Sequence, residues 1–263
     1  MKNFLLLVAF TTSINLMAQT SPFKMEKNGI SVSAADASAD FPDAHLLLDQ
    51  TLFFSKENLD TGKNVFQFQV DQFALGAQTP DAGTKLCANS AKGQHIHFIL
   101  DNAPYVASYS NEISSNLKPG HHVLLAFLSR SYHESIKHKK AFVLKEFNAG
   151  NGKVTDTFNS SMPQLFYSRP KGEYIGAKET GRVMLDFYIL NCKLTDKGFK
   201  VRATINGTEF LLPKWQPYVM EGLPLGENKI RLELIDASGK PVKCAYNGVE
   251  RSFKLSPDEP LRK

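Results

Sequence analysis

The sequence predicts an all-β protein made of two tandem immunoglobulin-like β-sandwich domains that arise from an internal repeat. Short segments such as 65–70 alternate apolar and polar residues, and turn-forming residues separate them about every ten residues. The hydrophobic pattern of residues 93–102 recurs over 198–207, and that of 120–128 recurs over 226–234. Two copies of about a hundred residues each are the size of a sandwich domain.

The N-terminal segment has the features of a secretory signal peptide. Residues 1–18 combine Lys2, an apolar run over 4–10 and the small residue Ala18. No cysteine follows to carry a lipid, and no other stretch reaches the roughly 20 apolar residues of a transmembrane segment. We therefore expect a periplasmic or secreted protein with no transmembrane segment.

The rest of the chain divides by composition. Residues 19–40 are rich in Ser, Ala and Asp and predict a flexible leader. The first sandwich is expected over 41–147, a polar linker over 148–162, the second sandwich over 163–256 and a tail over 257–263. The alternation slips by one residue beyond the strands at 66–70 and 185–189, which indicates a bulge shared by both copies.

Charge and cysteine content narrow the possible partners. The formal net charge of +5 suits an anionic ligand but falls short of the footprint of a nucleic-acid-binding protein. Three cysteines allow at most one intramolecular disulfide. Cys192 and Cys244, both in the second copy, are the best pair, and the sequence leaves open whether they are joined.

Six of the seven histidines lie within residues 95–138 of the first copy, and the second copy has none. They are His95, His97, His121, His122, His133 and His138, and their counterparts in the second copy are Lys200, Arg202, Glu227, Asn228, Gly239 and Cys244. The fold therefore does not require imidazole at these positions, which suggests a function for it.

A metal site is one such function. His95 and His97 are two residues apart on a strand and point to one face, where neutral imidazoles suit zinc or copper. His133 is the third candidate ligand if the two strands of this region pair antiparallel. If the strands do not pair in this way, the alternative ligand set is His95, His97, His121 and His122. Against both stands a simpler interpretation, in which these histidines are solvated on an open face and His138 is a solvated charge among lysines.

An anion site is a second function. Clustered positive charge and hydroxyl donors recognise phosphate, and the turn after residue 128 supplies both. The candidate residues are Arg130, Tyr132, His133, Lys137, Lys139 and Lys140. A lysine-rich turn can also simply keep a surface soluble.

The strand over 120–128 is apolar on both faces. Its outer residues Val123, Leu125 and Phe127 are replaced in the second copy by Lys229, Arg231 and Glu233. An apolar face of this size requires a cover. The second domain is the favoured cover, with the leader or a protein partner as alternatives. Trp215 and Tyr218 suit either an aromatic ligand surface or, more simply, packing.

Four stretches of the chain carry a family resemblance: 93–98, 127–135, 165–172 and 214–218. They resemble secreted proteins of Bacteroidota that carry the name phosphopeptide-binding protein, and the resemblance extends over nearly the whole mature chain. It implies a phosphopeptide ligand.

Motifs for the common enzyme classes are absent from the sequence. The expected function is therefore that of a secreted, non-catalytic binding protein for an anionic peptide or similar ligand. A zinc- or copper-binding protein and a surface adhesion or assembly module are the alternatives.

Overall fold

A computed structural model describes residues 23–50, 58–151 and 158–257. The described chain is almost entirely β-structure, with a single α-helical turn α1 (Ala177–Thr180) and a 3-10 turn over Ala82–Thr84. None of the helices in these ranges has the length and apolar character needed to cross a membrane. The expected signal peptide at 1–18 and residues 258–263 of the expected tail lie outside the described residues.

The first domain is a sandwich of two sheets, ordered β3-β4-β7 and β6-β5-β8-β9. Its core lies between them and includes Phe66, Phe68, Ile96 and Phe98, which are the inward residues of the alternating pattern. The strands are β3 (His45–Leu48), β4 (Gly62–Asp71), β5 (His95–Leu100), β6 (Val106–Ser108), β7 (Glu112–Leu117), β8 (Gly120–Ser129) and β9 (Phe142–Ala149).

The second domain repeats this arrangement with added strands. Its sheets are ordered β1-β2-β15-β12-β10 and β11-β17-β16-β13-β14. Each first-domain strand thus has a counterpart in the same place, which confirms the two tandem immunoglobulin-like sandwiches. The strands are β1 (Lys24–Lys27), β2 (Ile30–Ala34), β10 (Gln164–Arg169), β11 (Gly172–Ile175), β12 (Val183–Leu190), β13 (Lys200–Ile205), β14 (Thr208–Leu212), β15 (Tyr218–Glu221), β16 (Gly226–Ile235) and β17 (Val249–Ser256).

The flexible leader expected over 19–40 is wrong for its central part. Strands β1 and β2 form a hairpin whose turn, Asn28-Gly29, has positive φ at both residues. Strand β2 pairs antiparallel with β15, and its Ile30 and Val32 are buried in the core of the second domain. The second domain is therefore built from two separate parts of the chain, with the first domain inserted between them.

The phase slip shared by the two copies has a different cause from the one expected. Strand β4 ends at Asp71 and β12 ends at Leu190, and the residue that follows each strand is left-handed, Gln72 at φ 54° and Asn191 at φ 58°. The backbone turns out of the strand at this residue. The slip therefore marks the end of the strand in both copies rather than a bulge within it.

The three cysteines are all free thiols, so the structure does not contain the candidate disulfide between Cys192 and Cys244. Burial, with a smaller contribution from Cys244, raises the pKa of Cys192 to about 11. Both side chains are half-buried.

The second domain covers the apolar outer face of β8, as predicted. Val123, Leu125 and Phe127 pack against residues of β10 and β12, and the Phe127 ring stacks on Tyr188 with centroids 4.7 Å apart. Trp215 closes the edge of this interface, where its indole N–H donates to the Phe187 carbonyl at 3.0 Å. Trp215 thus has a packing role, and this face is not free to meet another chain.

Candidate metal centre

Strand pairing brings three of the predicted ligands to one end of the first domain. Strand β5 pairs antiparallel with β8, so that His95 lies opposite Ser129 and beside the turn that carries His133. His122 lies at the other end, where its Nδ1 is 2.7 Å from the Asp101 carboxylate and its Nε2 is 2.8 Å from the Lys118 carbonyl oxygen. His121 lies 3.4 Å from Glu146. The alternative set with His121 and His122 is therefore not assembled.

The ring nitrogens of His95, His97 and His133 converge. The Nε2 atom of His95 is 2.9 Å from Nε2 of His97 and 3.1 Å from Nδ1 of His133. The three candidate ligand atoms all lie within 4.8 Å of one another. His95 and His97 are 0% exposed, because Tyr105 and Tyr109 of the first domain and Ser168 of the second domain lie against their rings. The interpretation as solvated strand histidines is therefore wrong.

The hydrogen bonds of His95 fix its tautomer. Its Nδ1 lies 2.8 Å from the Gly93 carbonyl oxygen, which can only accept, so Nδ1 carries the proton. In the neutral ring, Nε2 then has a single lone pair, directed at the other two histidines. A hydrogen bond to a backbone carbonyl from the nitrogen that does not bind is the usual support of a histidine ligand.

Burial holds the three imidazoles in the neutral form that binds metals. It lowers the pKa of His95 to about 4 and places the pKa values of His97 and His133 well below the usual 6.5. The positive charge of Arg169 lowers all three further. At neutral pH each ring therefore offers a lone pair.

The backbone of His133 is left-handed, with φ at 67°. Its counterpart Gly239 has φ at 81° in an equivalent turn. The His133 amide donates to the Arg130 carbonyl at 2.9 Å, and the Gly239 amide donates to Asp236 at 3.0 Å. A residue with a Cβ is strained in this conformation, at a cost on the order of 1 kcal/mol or more. The first domain thus has a histidine at a position where the second copy has a glycine, which adopts this conformation without strain.

The surroundings of the centre come from both domains. Tyr105 stacks on the His97 ring at a centroid distance of 3.6 Å, and the Ser168 hydroxyl from β10 lies 3.3 Å from His97 Nδ1. Tyr109 packs beside His95. Sequence reasoning missed these neighbours because nothing in the chain marks which residues beside β6 and which residues of the second domain face β5.

In the cationic turn predicted to bind phosphate, several of the candidate groups have partners within the protein. Arg130 pairs with Glu134 at 3.0 Å and donates to the Ala39 carbonyl. The Tyr132 hydroxyl donates to Asp81 at 3.1 Å, and Lys137 pairs with the buried Asp186. Internal partners thus occupy the groups that were expected to face a ligand. Of the remaining candidates, His133 belongs to the histidine cluster, and Lys139 and Lys140 are exposed.

His138 also differs from the expectation of a solvated charge. It is half-buried, and its Nε2 donates to the Phe41 carbonyl at 2.9 Å. This hydrogen bond ties the start of the first domain to the turn that follows β8. His138 takes no part in the histidine cluster.

No family model matches the chain, and no curated protein matches it. Solved structures with related folds include fibronectin(III)-like modules of CbhA from Clostridium thermocellum, at 12% identity and a TM-score of 0.27, over 81% of this chain and 94% of that chain. The central fibronectin-III array of RIM-binding protein matches at 11% identity and a TM-score of 0.27, over 86% and 72%.

A further similar structure is SGBP-B from the mixed-linkage glucan utilization locus of Bacteroides ovatus, in complex with a mixed-linkage heptasaccharide. It matches at 11% identity and a TM-score of 0.22, over 80% of this chain and 47% of that chain. At these TM-scores none of the three similarities bears on ligand or partner.

Proposed function

We propose that this protein is a non-catalytic metal-binding protein that holds one zinc or copper ion at His95, His97 and His133. One observation carries the proposal. Two ring nitrogens approach the single lone pair of His95 Nε2, at 2.9 and 3.1 Å. Only one of them can donate a hydrogen bond to that lone pair. An ion between the three rings would accept all three lone pairs at once.

Two of the three nitrogen separations in the cluster suit such an ion. With metal-nitrogen bonds of about 2.05 Å, tetrahedral ligand nitrogens are about 3.3 Å apart, and ligands at right angles are about 2.9 Å apart. The observed separations of 2.9 and 3.1 Å lie near this range. The ligand atoms of His97 and His133 lie within 4.8 Å of each other, so these two rings would rotate toward each other to admit either zinc or copper.

Three protein ligands leave a coordination position open. Structural zinc sites in proteins usually have four protein ligands, whereas three protein ligands leave the fourth position to water or a bound molecule, the arrangement that catalytic zinc sites use. The signal-peptide features of the sequence suit a role outside the cytoplasm, as an ion carrier or as a receptor for a ligand that the ion helps to hold.

Elemental analysis tests the proposal directly. The purified protein is equilibrated with zinc or copper, freed of unbound ion and compared with His97→Gln. His45→Gln is the matched control, because His45 is the one histidine of the first domain that lies outside residues 95–138. We expect one ion per chain in the wild type and the control, and less than a tenth of that in His97→Gln. A wild type without stoichiometric metal would contradict the proposal.

A further inference from the structure

A buried arginine without an acidic partner lies next to the histidine cluster. Arg169 is 6% exposed. Its Nη1 donates to the Tyr105 hydroxyl at 2.5 Å, and its guanidinium carbon lies 5.2 Å from the centre of the Tyr174 ring. Its Nε has no hydrogen-bond partner among the residues that the structure describes. Among the described residues, Arg169 forms no ion pair with a carboxylate.

Two contacts connect Arg169 to the metal centre. Tyr105, which accepts the hydrogen bond from Arg169, stacks on His97. Ser168, the residue before Arg169, places its hydroxyl against the other nitrogen of the same ring. The Arg169 guanidinium is therefore linked to the centre in two ways, through the Tyr105 ring and through the neighbouring residue Ser168.

A second cation adds to the positive charge here. The Lys171 ammonium donates to the Tyr105 carbonyl at 2.6 Å and lies 4.4 Å from the centre of the Tyr105 ring. The acidic residues of this region already have partners, since Glu134 pairs with Arg130 and Asp186 pairs with Lys137. The described residues around the centre therefore supply positive charge without a matching negative charge.

Such an arrangement is costly unless something neutralises it. A buried charge that has only neutral partners recovers only part of the hydration free energy that it loses on burial. A divalent ion bound to three neutral imidazoles would add two further positive charges beside Arg169. A negatively charged ligand would offset both charges at once, and a guanidinium presents paired donors that match the oxygens of carboxylate and phosphate.

We infer that the centre binds an oxyanion, a carboxylate or phosphate group, which occupies the open position on the metal and is held by Arg169 and Lys171. The inference rests on the proposed metal site, because the metal supplies one of the two positive contacts. It moves the anion site from the turn after β8 to the interface between the domains. The second domain then contributes the residues that select the ligand.

The test titrates zinc-loaded and zinc-free protein with inorganic phosphate and, separately, with acetate, followed by calorimetry. We expect zinc to tighten binding of at least one anion by about tenfold or more, which is the scale of one added charged contact. Arg169→Gln should retain one zinc per chain and lose about tenfold or more of the anion affinity. Arg182→Gln is the matched control, because Arg182 is a second-domain arginine with acidic partners, Asp36 and Glu221.

Three additions keep the outcome clear. If Arg169→Gln fails to fold, Tyr105→Phe removes only the hydroxyl that orients the guanidinium and should also weaken anion binding. The cobalt-substituted protein should change its visible absorption when the anion enters the metal shell. Phosphoserine that binds more tightly than inorganic phosphate would identify a group carried by a larger ligand.

The failures of the two proposals are distinguishable. A wild type that binds no zinc overturns the metal proposal together with this inference. Stoichiometric zinc with phosphate and acetate affinities that neither zinc nor Arg169→Gln changes overturns the oxyanion inference alone.

Discussion

The same pair of strands has opposite surroundings in the two domains. In the first domain His97 lies opposite Phe127 on β5 and β8, and both are 0% exposed. In the second domain the same register places Arg202 opposite Glu233, which form a partly exposed ion pair at 3.1 Å. The inward residues of both pairs of strands fill the core of a sandwich. The two domains differ on the outer face, which is covered in one and open in the other.

This difference shows where function can arise in a repeated fold. An open outer face needs only soluble side chains, and the second domain supplies charged ones. A covered face must be apolar or must have each polar group partnered. Three histidines whose nitrogens face one another on a covered face are therefore unlike the rest of the repeat, and they need an explanation beyond the fold.

The largest expected effect comes from removing an interface ring. Phe127→Ala should lower the free energy of unfolding by about 3–5 kcal/mol, because it empties a closely packed site against Tyr188. Its counterpart Glu233→Ala should cost less than about 1 kcal/mol, since it removes only partly exposed ion pairs. Equilibrium urea unfolding measures both. Equal losses would show that the outer faces of the two domains do not differ in packing.

The next effect comes from exchanging His133 and Gly239. Zinc at a hundredfold excess over its dissociation constant should raise the wild-type free energy of unfolding by about 2.7 kcal/mol. His133→Gly should abolish this gain. The stability of the metal-free protein should change by no more than about 1 kcal/mol, because glycine adopts the left-handed backbone conformation without strain.

The reverse exchange is the control. Gly239→His introduces the strain into the second domain and should cost about 1 kcal/mol or more in the absence of metal. The zinc-dependent gain should remain at its wild-type size. Thermal unfolding with and without zinc gives both quantities, and a gain that survives in His133→Gly would exclude His133 as a ligand.

A smaller effect tests the added strand, which has no equivalent in the first domain. Val32 on β2 is 0% exposed in the second-domain core. Val32→Ala should lower the free energy of unfolding by about 1.6 kcal/mol, the value of two buried methyl groups. Ser33→Ala, on the opposite face of the same strand, should change it by less than about 0.5 kcal/mol. Similar effects from both would indicate that β2 packs loosely.

The sequence was sufficient for features that depend on local pattern and on the comparison of the two copies. Alternation and turns predict the sandwiches, and the replacement of Val123 and Leu125 by charged residues predicts the domain interface. The spacing of His95 and His97 places them on one face, and antiparallel pairing places His133 beside them. These predictions needed only the repeat and strand geometry.

Features that depend on distant contacts could not be predicted in the same way. The sequence does not show that β2 pairs with β15, about 190 residues away in the chain, although Asn28-Gly29 is a recognisable hairpin turn. It also does not show that Arg130 and Lys137 have carboxylate partners while Arg169 has none among the described residues. Charge count alone cannot locate an anion site, because the position of the neighbouring carboxylates decides which cations are available.

The smallest effect distinguishes how the two domains hold their equivalent turns. In the first domain Asp81 reaches the turn from a distant loop. Its burial raises its pKa, but the Ala39 amide, the Tyr132 hydroxyl and Lys85 outweigh this and lower the pKa overall. In the second domain Asp236 belongs to the turn itself, and hydrogen bonds from Ser238 and the Lys240 amide lower its pKa.

Both carboxylates should therefore stabilise the fold only while they are ionised. Because each pKa is lower in the folded than in the unfolded chain, the unfolded chain takes up protons first as the pH falls below about 4. The midpoint temperature of Asp81→Asn should lie below that of the wild type at pH 6, and the difference should shrink as the pH falls through the folded pKa. Asp236→Asn should follow the same course with a smaller difference, because Asp236 accepts hydrogen bonds only from its own turn. A difference at pH 2 as large as that at pH 6 would mean that the Asp81 side chain stabilises the turn independently of its charge. The two turns would then be stabilised by different kinds of interaction.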